Sequence, residues 1–238
     1  MSRQHTFLES LLYHLLPGVA LLSCILLLPR VLPKWPLILT LYTSVALVLI
    51  PVELGILYYH GYRRNGRLSL EGVVLYRERI SLWKLAAWAL GTGLWSYLVF
   101  LYAQPYLDGL LRPAFTWLPP TLTQVTGNLV RYPHGFWVAT ALVGLVCNGF
   151  VGPIVEEMYF RGFLLPRMER LKGWAPAANA VLFSLYHLFT PWQNLTRIAA
   201  LIPMVYAVRW NRSIWISILS HCALNTVSMI PAVLIWLG

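Results

Sequence analysis

Long apolar stretches separated by short polar segments make up most of this chain. The apolar stretches cover residues 8–29, 36–59, 81–103, 136–160, 175–190, 195–209 and 214–237. Because a helix needs about 20 apolar residues to cross a bilayer, the pattern predicts an all-α, polytopic transmembrane helical bundle of about seven to eight spans. The fifth and sixth stretches are short, and we expect them to lie buried inside the bundle.

The composition supports a membrane protein. Of 238 residues, 58% are hydrophobic and only 11% are charged, whereas a soluble domain has about 25% charged residues. The formal net charge is +10, which in a soluble protein would suggest a nucleic-acid partner. Here the positive charges concentrate in particular loops, so we expect the lipid bilayer as the partner and no nucleic acid.

The loop charges predict an orientation. With seven spans, the N-terminus and the second, fourth and sixth loops share one side, which carries twelve basic residues: Arg3, Arg63, Arg64, Arg67, Arg77, Arg79, Arg161, Arg167, Arg170, Lys172, Arg209 and Arg212. The other side carries five: Arg30, Lys34, Arg112, Arg131 and Arg197. Since cytoplasmic loops are enriched in Lys and Arg, we expect a multi-pass protein with a cytoplasmic N-terminus, in a bacterial plasma membrane.

Two adjacent acids, Glu156 and Glu157, interrupt the fourth apolar stretch. A carboxylate in hydrocarbon is costly and indicates a functional site. On a helix, Glu157 and Arg161 share a face and predict a structural ion pair, while Glu156 points about 100° away, towards a cavity. Pro153 predicts a kink beside that cavity. The alternative is that both acids only neutralise arginines at the interface.

His187 lies four residues after Phe183, on the same helix face. If the fourth helix continues to Gly173, Glu156 and His187 lie about 25 and 21 Å from the turn on antiparallel helices, at similar depth. The two side chains are therefore predicted to meet. The alternative for an isolated buried histidine is an ordinary core residue.

His221 and Asn225 share a face of the last apolar stretch. His221 lies only about 12 Å beyond Ser213, so its depth does not match that of the Glu156–His187 pair. The alternative role for these polar residues is helix packing through interhelical hydrogen bonds.

Other polar residues point less clearly to chemistry. Glu53 in the second span is expected to snorkel to the interface or to pair with Arg63. No HExxH or GxSxG motif is present, and the only aspartate is Asp108, so thermolysin-like, serine and paired-aspartate protease sites are excluded. The three cysteines, Cys24, Cys147 and Cys222, have no paired spacing and are expected to be free thiols.

Three motifs in order resemble those of the CPBP family of CAAX proteases and bacteriocin-processing enzymes, also called Abi proteins. They are Glu156-Glu157-x-x-x-Arg161, Phe183-x-x-x-His187 and His221-x-x-x-Asn225, within residues 136–230. The resemblance implies an intramembrane endopeptidase in which Glu156 is the general base with His187. It also implies that His221 and Asn225 stabilise the oxyanion, with Glu157, Arg161 and Phe183 as structural support.

The resemblance divides the chain into two parts. Residues 1–135 form an N-terminal transmembrane region with a basic linker (60–80), suited to an anionic membrane surface, and an outer Pro-rich loop (104–135). Residues 136–238 form the CPBP/Abi-like catalytic core, which is expected to act on a membrane-associated peptide or protein, with CAAX-type processing as one activity of the family.

Two alternatives stay open. In the first, the same protease uses zinc, bound by Glu156, His187 and His221 with water in the open position. No cofactor is expected in the preferred mechanism, since Asn225 is a poor zinc ligand and a good hydrogen-bond donor. In the second, the chain is a non-catalytic membrane immunity or partner-binding protein.

Overall fold

The computed structural model describes residues 3–125 and 129–237, and for residues 130 and 231–237 it describes the backbone only. The fold is 82% helical and the described residues contain no strand, which confirms the all-α class. We label the longer helices α1 (Phe7–Val31), α2 (Leu37–Asn65), α3 (Leu82–Phe115), α4 (His134–Arg167), α5 (Ala175–Tyr186), α6 (Asn194–Asn211) and α7 (Trp215–Leu237).

Helices α1 to α4 are each long and apolar enough to cross a membrane. Local sequence signals set their ends. A capping box starts α1, in which the Thr6 hydroxyl accepts from the Glu9 amide and the Glu9 carboxylate accepts from the Thr6 amide. Gly66, in the left-handed region at φ 67°, ends α2. The chain is an integral membrane protein.

The short helices α5 and α6 pack against each other at the centre of the bundle, as the sequence predicts. Small residues make this close packing possible: Ala180 on α5 and Ala200 and Ala207 on α6 are completely buried. Helix α1 also packs against α5. The Cβ of an alanine at Gly18 would lie 2.0 Å from the carbonyl oxygen of Tyr186, so the glycine permits this approach.

Helix α3 continues beyond the predicted span end at residue 103. A π-helical turn at Val99–Ala103 leads into Gln104–Leu111 and a 3₁₀ turn at Arg112–Phe115. The prolines of this segment fall in the first turns of these pieces, where a missing amide hydrogen costs little. The continuation of α3 therefore takes up about a third of the predicted outer loop, and short helical turns follow at Pro120–Thr123 and Leu129–Arg131.

Helix α4 is wound unevenly around Pro153. A π-helical segment at Gly144–Val151 precedes the α-helical turn Gly152–Glu156, and a second π-helical segment follows at Glu157–Leu164. The expected distortion at Pro153 is thus a local change of winding. The expectation that α4 runs to Gly173 is wrong: the helix ends at Arg167, and a 3₁₀ run with Lys172 at φ 51° turns the chain into α5.

The segments predicted to share the basic side do meet at one end of the bundle, which we call the arginine-rich end. The amide of His5 donates to the carbonyl of Arg167 (2.9 Å). Residues 66–81, which join α2 to α3, form the linker, and its Leu75 amide donates to the carbonyl of Gly162 (2.7 Å). The linker also reaches the α6–α7 turn, where the Ile214 amide donates to the Tyr76 carbonyl (2.8 Å). These contacts bring the N-terminus and the second, fourth and sixth loops together, whereas Arg161, which was counted among their basic residues, is completely buried on α4.

Candidate active site

A cavity of about 420 Å³ contains all four predicted catalytic residues, Glu156, His187, His221 and Asn225, in its lining. They arrive from three places: α4, the end of α5 and the middle of α7. Helix α7 packs directly against the α4 turn that contains Glu156. The expected mismatch in depth between His221 and Glu156 is therefore wrong, because α4 ends earlier than predicted.

Glu157 and Arg161 form the predicted ion pair, with Oε2 and Nε 3.2 Å apart and both side chains completely buried. The contact lacks hydrogen-bond geometry, and the guanidinium finds no hydrogen-bond acceptor among the described residues. It lies instead against the ring of Phe183, with Cζ 4.0 Å from the ring centroid. Phe183 thus supports the guanidinium of this pair.

His221 contacts both glutamates. Its Nδ1 lies 2.9 Å from Glu157 Oε1, and its Nε2 lies 3.8 Å from Glu156 Oε2. A carboxylate accepts, so Nδ1 carries the hydrogen and donates it to Glu157, which leaves Nε2 turned towards Glu156. Glu157 is thus more than the structural partner of Arg161, since it also orients the imidazole beside the second acid.

Glu156 is 7% exposed, and its Oε1 accepts a hydrogen bond from the hydroxyl of Tyr186. Its Oε2 faces His221. Neither contact is an ion pair with an arginine. The geometry therefore does not support the alternative in which Glu156 neutralises an arginine at the interface. The sequence analysis did not identify Tyr186 as a site residue, because a tyrosine near a helix end resembles an anchor at the membrane–water interface.

His187 lies just past the end of α5, at the residue that caps the helix, rather than within a helix to residue 190. Its Nδ1 donates to the carbonyl of Phe183 (3.0 Å), and its ring packs edge-on against that of Tyr186 at 4.2 Å between centroids. No hydrogen-bond partner for Nε2 is found among the residues that the structure describes. No hydrogen bond or ion pair joins His187 to Glu156 within the described part of the chain; both line the same cavity.

Asn225 uses its amide group to hold α7 against α4. Its Nδ2 donates to the carbonyl of Asn148 (2.9 Å), and both residues line the cavity. The interhelical hydrogen bond corresponds to the packing alternative stated above. An amide nitrogen carries two hydrogens, and within the described part of the chain the second one on Nδ2 has no acceptor.

Arg197 was counted as a loop charge on the sparse side, but it lies on α6, 6% exposed, and lines the cavity. Its guanidinium donates to the carbonyls of Ser184 (3.1 Å) and Thr190 (2.8 Å). A fixed positive charge therefore stands in the wall that also carries His187. An arginine inside an apolar helix was the signal that could have identified it.

Glu53 departs from its prediction. It is completely buried on α2, and neither carboxylate oxygen has a hydrogen-bond partner among the residues that the structure describes. The charged groups near it are Glu156, Glu157 and Arg161, not Arg63. A third acid therefore lies behind the glutamate pair.

The residues of the alternative zinc set, Glu156, His187 and His221, line one cavity but do not form a compact group in this structure. Over residues 3–125 and 129–237, no group of three His, Cys, Asp or Glu side chains is placed to hold a metal ion together. We therefore derive no chemical step through a metal.

The cavity extends from Glu156 to the end of the bundle opposite the arginine-rich end. Its lining there comes from the start of α2 (Ile38), the end of α3 (Phe100, Arg112) and the segment that follows (Thr123, Val125). Apolar side chains line most of this path. None of the residues of the 66–81 linker lines it.

Comparison with protein families matches residues 137–227 to the model described as type II CAAX prenyl endopeptidase Rce1-like. The matched range contains all three motifs and all four predicted catalytic residues, which agrees with the resemblance to the CPBP and CAAX protease family. Searches of curated proteins and of solved structures give no match.

Proposed function

From the Rce1-like family match over residues 137–227, which is to a family of proteases, we propose that this chain is an intramembrane endopeptidase whose Glu156 activates a water molecule. One observation carries the proposal: a buried glutamate faces His221, whose other nitrogen is held by Glu157, inside a cavity that admits a peptide-sized group. A base in a water-poor site, beside an oriented imidazole, is the arrangement needed for general base catalysis.

The proposed reaction runs as follows. A water molecule donates one hydrogen to Glu156 Oε2 and attacks the carbonyl carbon of the scissile peptide bond. The bond between water oxygen and carbon forms, and Glu156 takes the proton. When the C–N bond breaks, that proton passes to the leaving amine, so the carboxylate is regenerated and the products are an acid and an amine.

The two histidines and Asn225 complete this scheme. His221 Nε2 lies 3.8 Å from Glu156 Oε2, so the same water reaches both atoms. Asn225 and His187 both lie in the cavity wall. Asn225, through its second amide hydrogen, is proposed to stabilise the developing negative charge. His187 donates its Nδ1 hydrogen to Phe183 and so has a lone pair on Nε2; it is proposed to accept a hydrogen bond from the attacking water beside Glu156, as the family resemblance implies. Arg197 adds a fixed positive charge to that wall.

The proposed substrate is a membrane-associated peptide or protein, because the path to the glutamates is mostly apolar. A C-terminal CAAX peptide with a lipid on its cysteine is the first substrate to test, given the family match. With the arginine-rich end in the cytoplasm, as proposed from the loop charges, the scissile bond enters from the other side of the membrane.

Peptide cleavage by the purified, reconstituted protein tests the proposal. A prenylated CAAX peptide and its unprenylated form are incubated with the protein, and products are identified by mass spectrometry. Glu156→Gln and His187→Ala are expected to abolish cleavage while the protein inserts normally. Glu71→Gln, which removes an exposed acid of the linker, is the matched control. Cleavage that survives both active-site changes would overturn the assignment.

Chelation separates the two chemistries. Activity that persists after chelator treatment, in protein whose metal content is measured, is expected for the glutamate mechanism. Loss of activity that zinc restores would favour the alternative metal-dependent protease. If wild-type protein cleaves neither peptide, proteins that co-purify with Glu156→Gln identify the substrate or the binding partner.

A further inference from the structure

A second cavity, of about 1010 Å³, lies at the arginine-rich end, outside the candidate active site. Its walls are the linker after α2, the 3₁₀ run before α5 and the α6–α7 turn. Guanidinium groups dominate its lining: Arg64, Arg170, Arg209 and Arg212. The proposed peptidase mechanism uses none of these residues.

The cavity has a large excess of positive charge. Among the described residues, Glu169 is the only acid in its lining. Its carboxylate already accepts from the Tyr76 hydroxyl and from Arg209, whose Nη2 and Nε lie 2.7 and 3.3 Å from its oxygens. No carboxylate pairs with Arg64, Arg170 or Arg212 in the described ranges 3–125 and 129–237. Three guanidinium groups therefore surround one space without an anion supplied by the protein.

The backbone is shaped to hold these arginines in place. Gly72 has φ +68°, and a Cβ there would lie 2.4 Å from Arg64 Nε, so only glycine lets that side chain lie along the linker. Tyr76 (φ 55°) and Arg212 (φ 48°) adopt the left-handed region, which is unfavourable for residues with a side chain. The Glu78 amide donates to the Arg212 carbonyl (3.0 Å), which fixes the linker to the α6–α7 turn.

The level of the cavity corresponds to the headgroup region of a bilayer. Trp210, in its lining, is 68% exposed and pairs with Trp88 at 6.4 Å between ring centroids. Exposed tryptophans concentrate at the membrane–water interface. A ligand of this cavity is therefore most accessible from the lipid headgroups of the same leaflet.

We propose that this cavity binds the phosphate group of an anionic phospholipid, with Arg64, Arg170 and Arg212 as its ligands. Guanidinium groups bind phosphate oxygens through paired hydrogen bonds, and basic pockets at helix ends recognise anionic headgroups. The acyl chains lie along the outer surface near Trp210. Loss of this site leaves the glutamates and histidines of the other cavity in place, so it is independent of the proposed peptidase function.

The experiment measures phosphatidylglycerol retained by the full-length protein. The protein is placed in nanodiscs of phosphatidylcholine in which about one lipid in ten is phosphatidylglycerol, the only anionic lipid present. It is then extracted and analysed by native mass spectrometry. Arg64→Gln and Arg212→Gln are expected to reduce the retained phosphatidylglycerol about tenfold. Arg63→Gln removes the same charge one residue away, outside the cavity lining, and is expected to change it less than twofold.

Three outcomes would overturn the proposal. The first is equal retention by wild type and by the cavity variants, and the second is an equal loss in Arg63→Gln, which indicates general surface charge. The third is displacement of the lipid by millimolar inorganic phosphate, which indicates a site for a soluble anion. Helix content measured by circular dichroism confirms that each variant is folded, and Arg64→Lys, which keeps the charge without the paired donors, is expected to restore part of the binding.

Discussion

Removal of one member of the buried Glu157–Arg161 pair is expected to destabilise the protein strongly and unequally. Leaving a buried charge without its partner costs about 3–5 kcal/mol. Arg161→Met leaves Glu157 with the His221 Nδ1 hydrogen as a partner at 2.9 Å, so we expect the lower end of this range. Glu157→Leu leaves Arg161 with the face of Phe183 and no hydrogen-bond acceptor among the described residues, so we expect the upper end.

The double variant Glu157→Leu/Arg161→Met separates the charges from the shape of the site. A pair of apolar residues of similar volume avoids the desolvation of both ions, and such replacements are often neutral or stabilising. We therefore expect the free energy of unfolding of the double variant to exceed that of either single variant. The coupling free energy between the two positions is expected to be about 3 kcal/mol.

The free energy of unfolding is measured in bicelles, with the midpoint of thermal unfolding as a second readout. For a chain of this length, 1 kcal/mol corresponds to about 2–4 °C, so the single variants are expected to melt about 6–20 °C lower. Single variants within about 1 kcal/mol of wild type, or a double variant whose loss equals the sum of the two, would refute the buried-pair reasoning. Peptide cleavage is expected to stay absent in the double variant even where stability returns, because His221 has lost its orienting acid.

Further substitutions test the packing, the third acid and the arginine-rich end. Gly18→Ala, whose Cβ would lie 2.0 Å from the Tyr186 carbonyl oxygen, is expected to cost about 1–3 kcal/mol of unfolding free energy and to reduce cleavage, whereas Gly55→Ala, with open space around it, is expected to be neutral or stabilising. Glu53→Gln is expected to leave the free energy of unfolding within about 1 kcal/mol of wild type, because the buried carboxyl has no partner to lose; a larger loss would show that its charge is paired. At the arginine-rich end, the hydrogen bonds from Arg209 hold the pKa of the Glu169 carboxyl below its usual value. The ionised Glu169 therefore contributes stability above its unfolded-state pKa, and this contribution is lost as the pH falls through its folded-state pKa. The melting temperature is therefore expected to decrease when the pH is lowered below about 4. Glu169→Gln is expected to reduce this decrease in a plot of melting temperature against pH.

Much of this architecture follows from local patterns in the sequence. The predicted stretches match the long helices to within a few residues at most of their ends, and the spacing of Glu157 and Arg161 predicted their ion pair. Both depend on interactions within one helix, for which residue spacing is a direct measure of distance. The ending of α4 at Arg167 was not predicted, because Pro166, in the 3₁₀ turn that closes the helix, was not interpreted as a stop signal.

The positions that were mispredicted depend on contacts between helices. Glu53 was expected to snorkel because tyrosines follow it closely, but α2 packs against α4 and encloses it. The distance of His221 from Glu156 depended on where α4 ends and on its π-helical turns, which shift the residues that follow relative to a regular helix. Periodicity assumes regular helices, so errors accumulate where the winding changes.

The winding of α4 also explains why one acid serves two purposes. Glu157 begins the second π-helical segment, directly after the α-helical turn that ends at Glu156, so the two carboxylates leave the helix in different directions. One oxygen of Glu157 faces Arg161 and the other faces His221, which connects the charge that stabilises the core to the imidazole that faces Glu156. A change at Glu157 therefore affects stability and chemistry together, whereas a change at Arg161 affects mainly stability. This asymmetry, rather than the presence of two acids, is what distinguishes the glutamate pair, and it requires that Arg161 variants keep measurable cleavage under conditions in which they are folded.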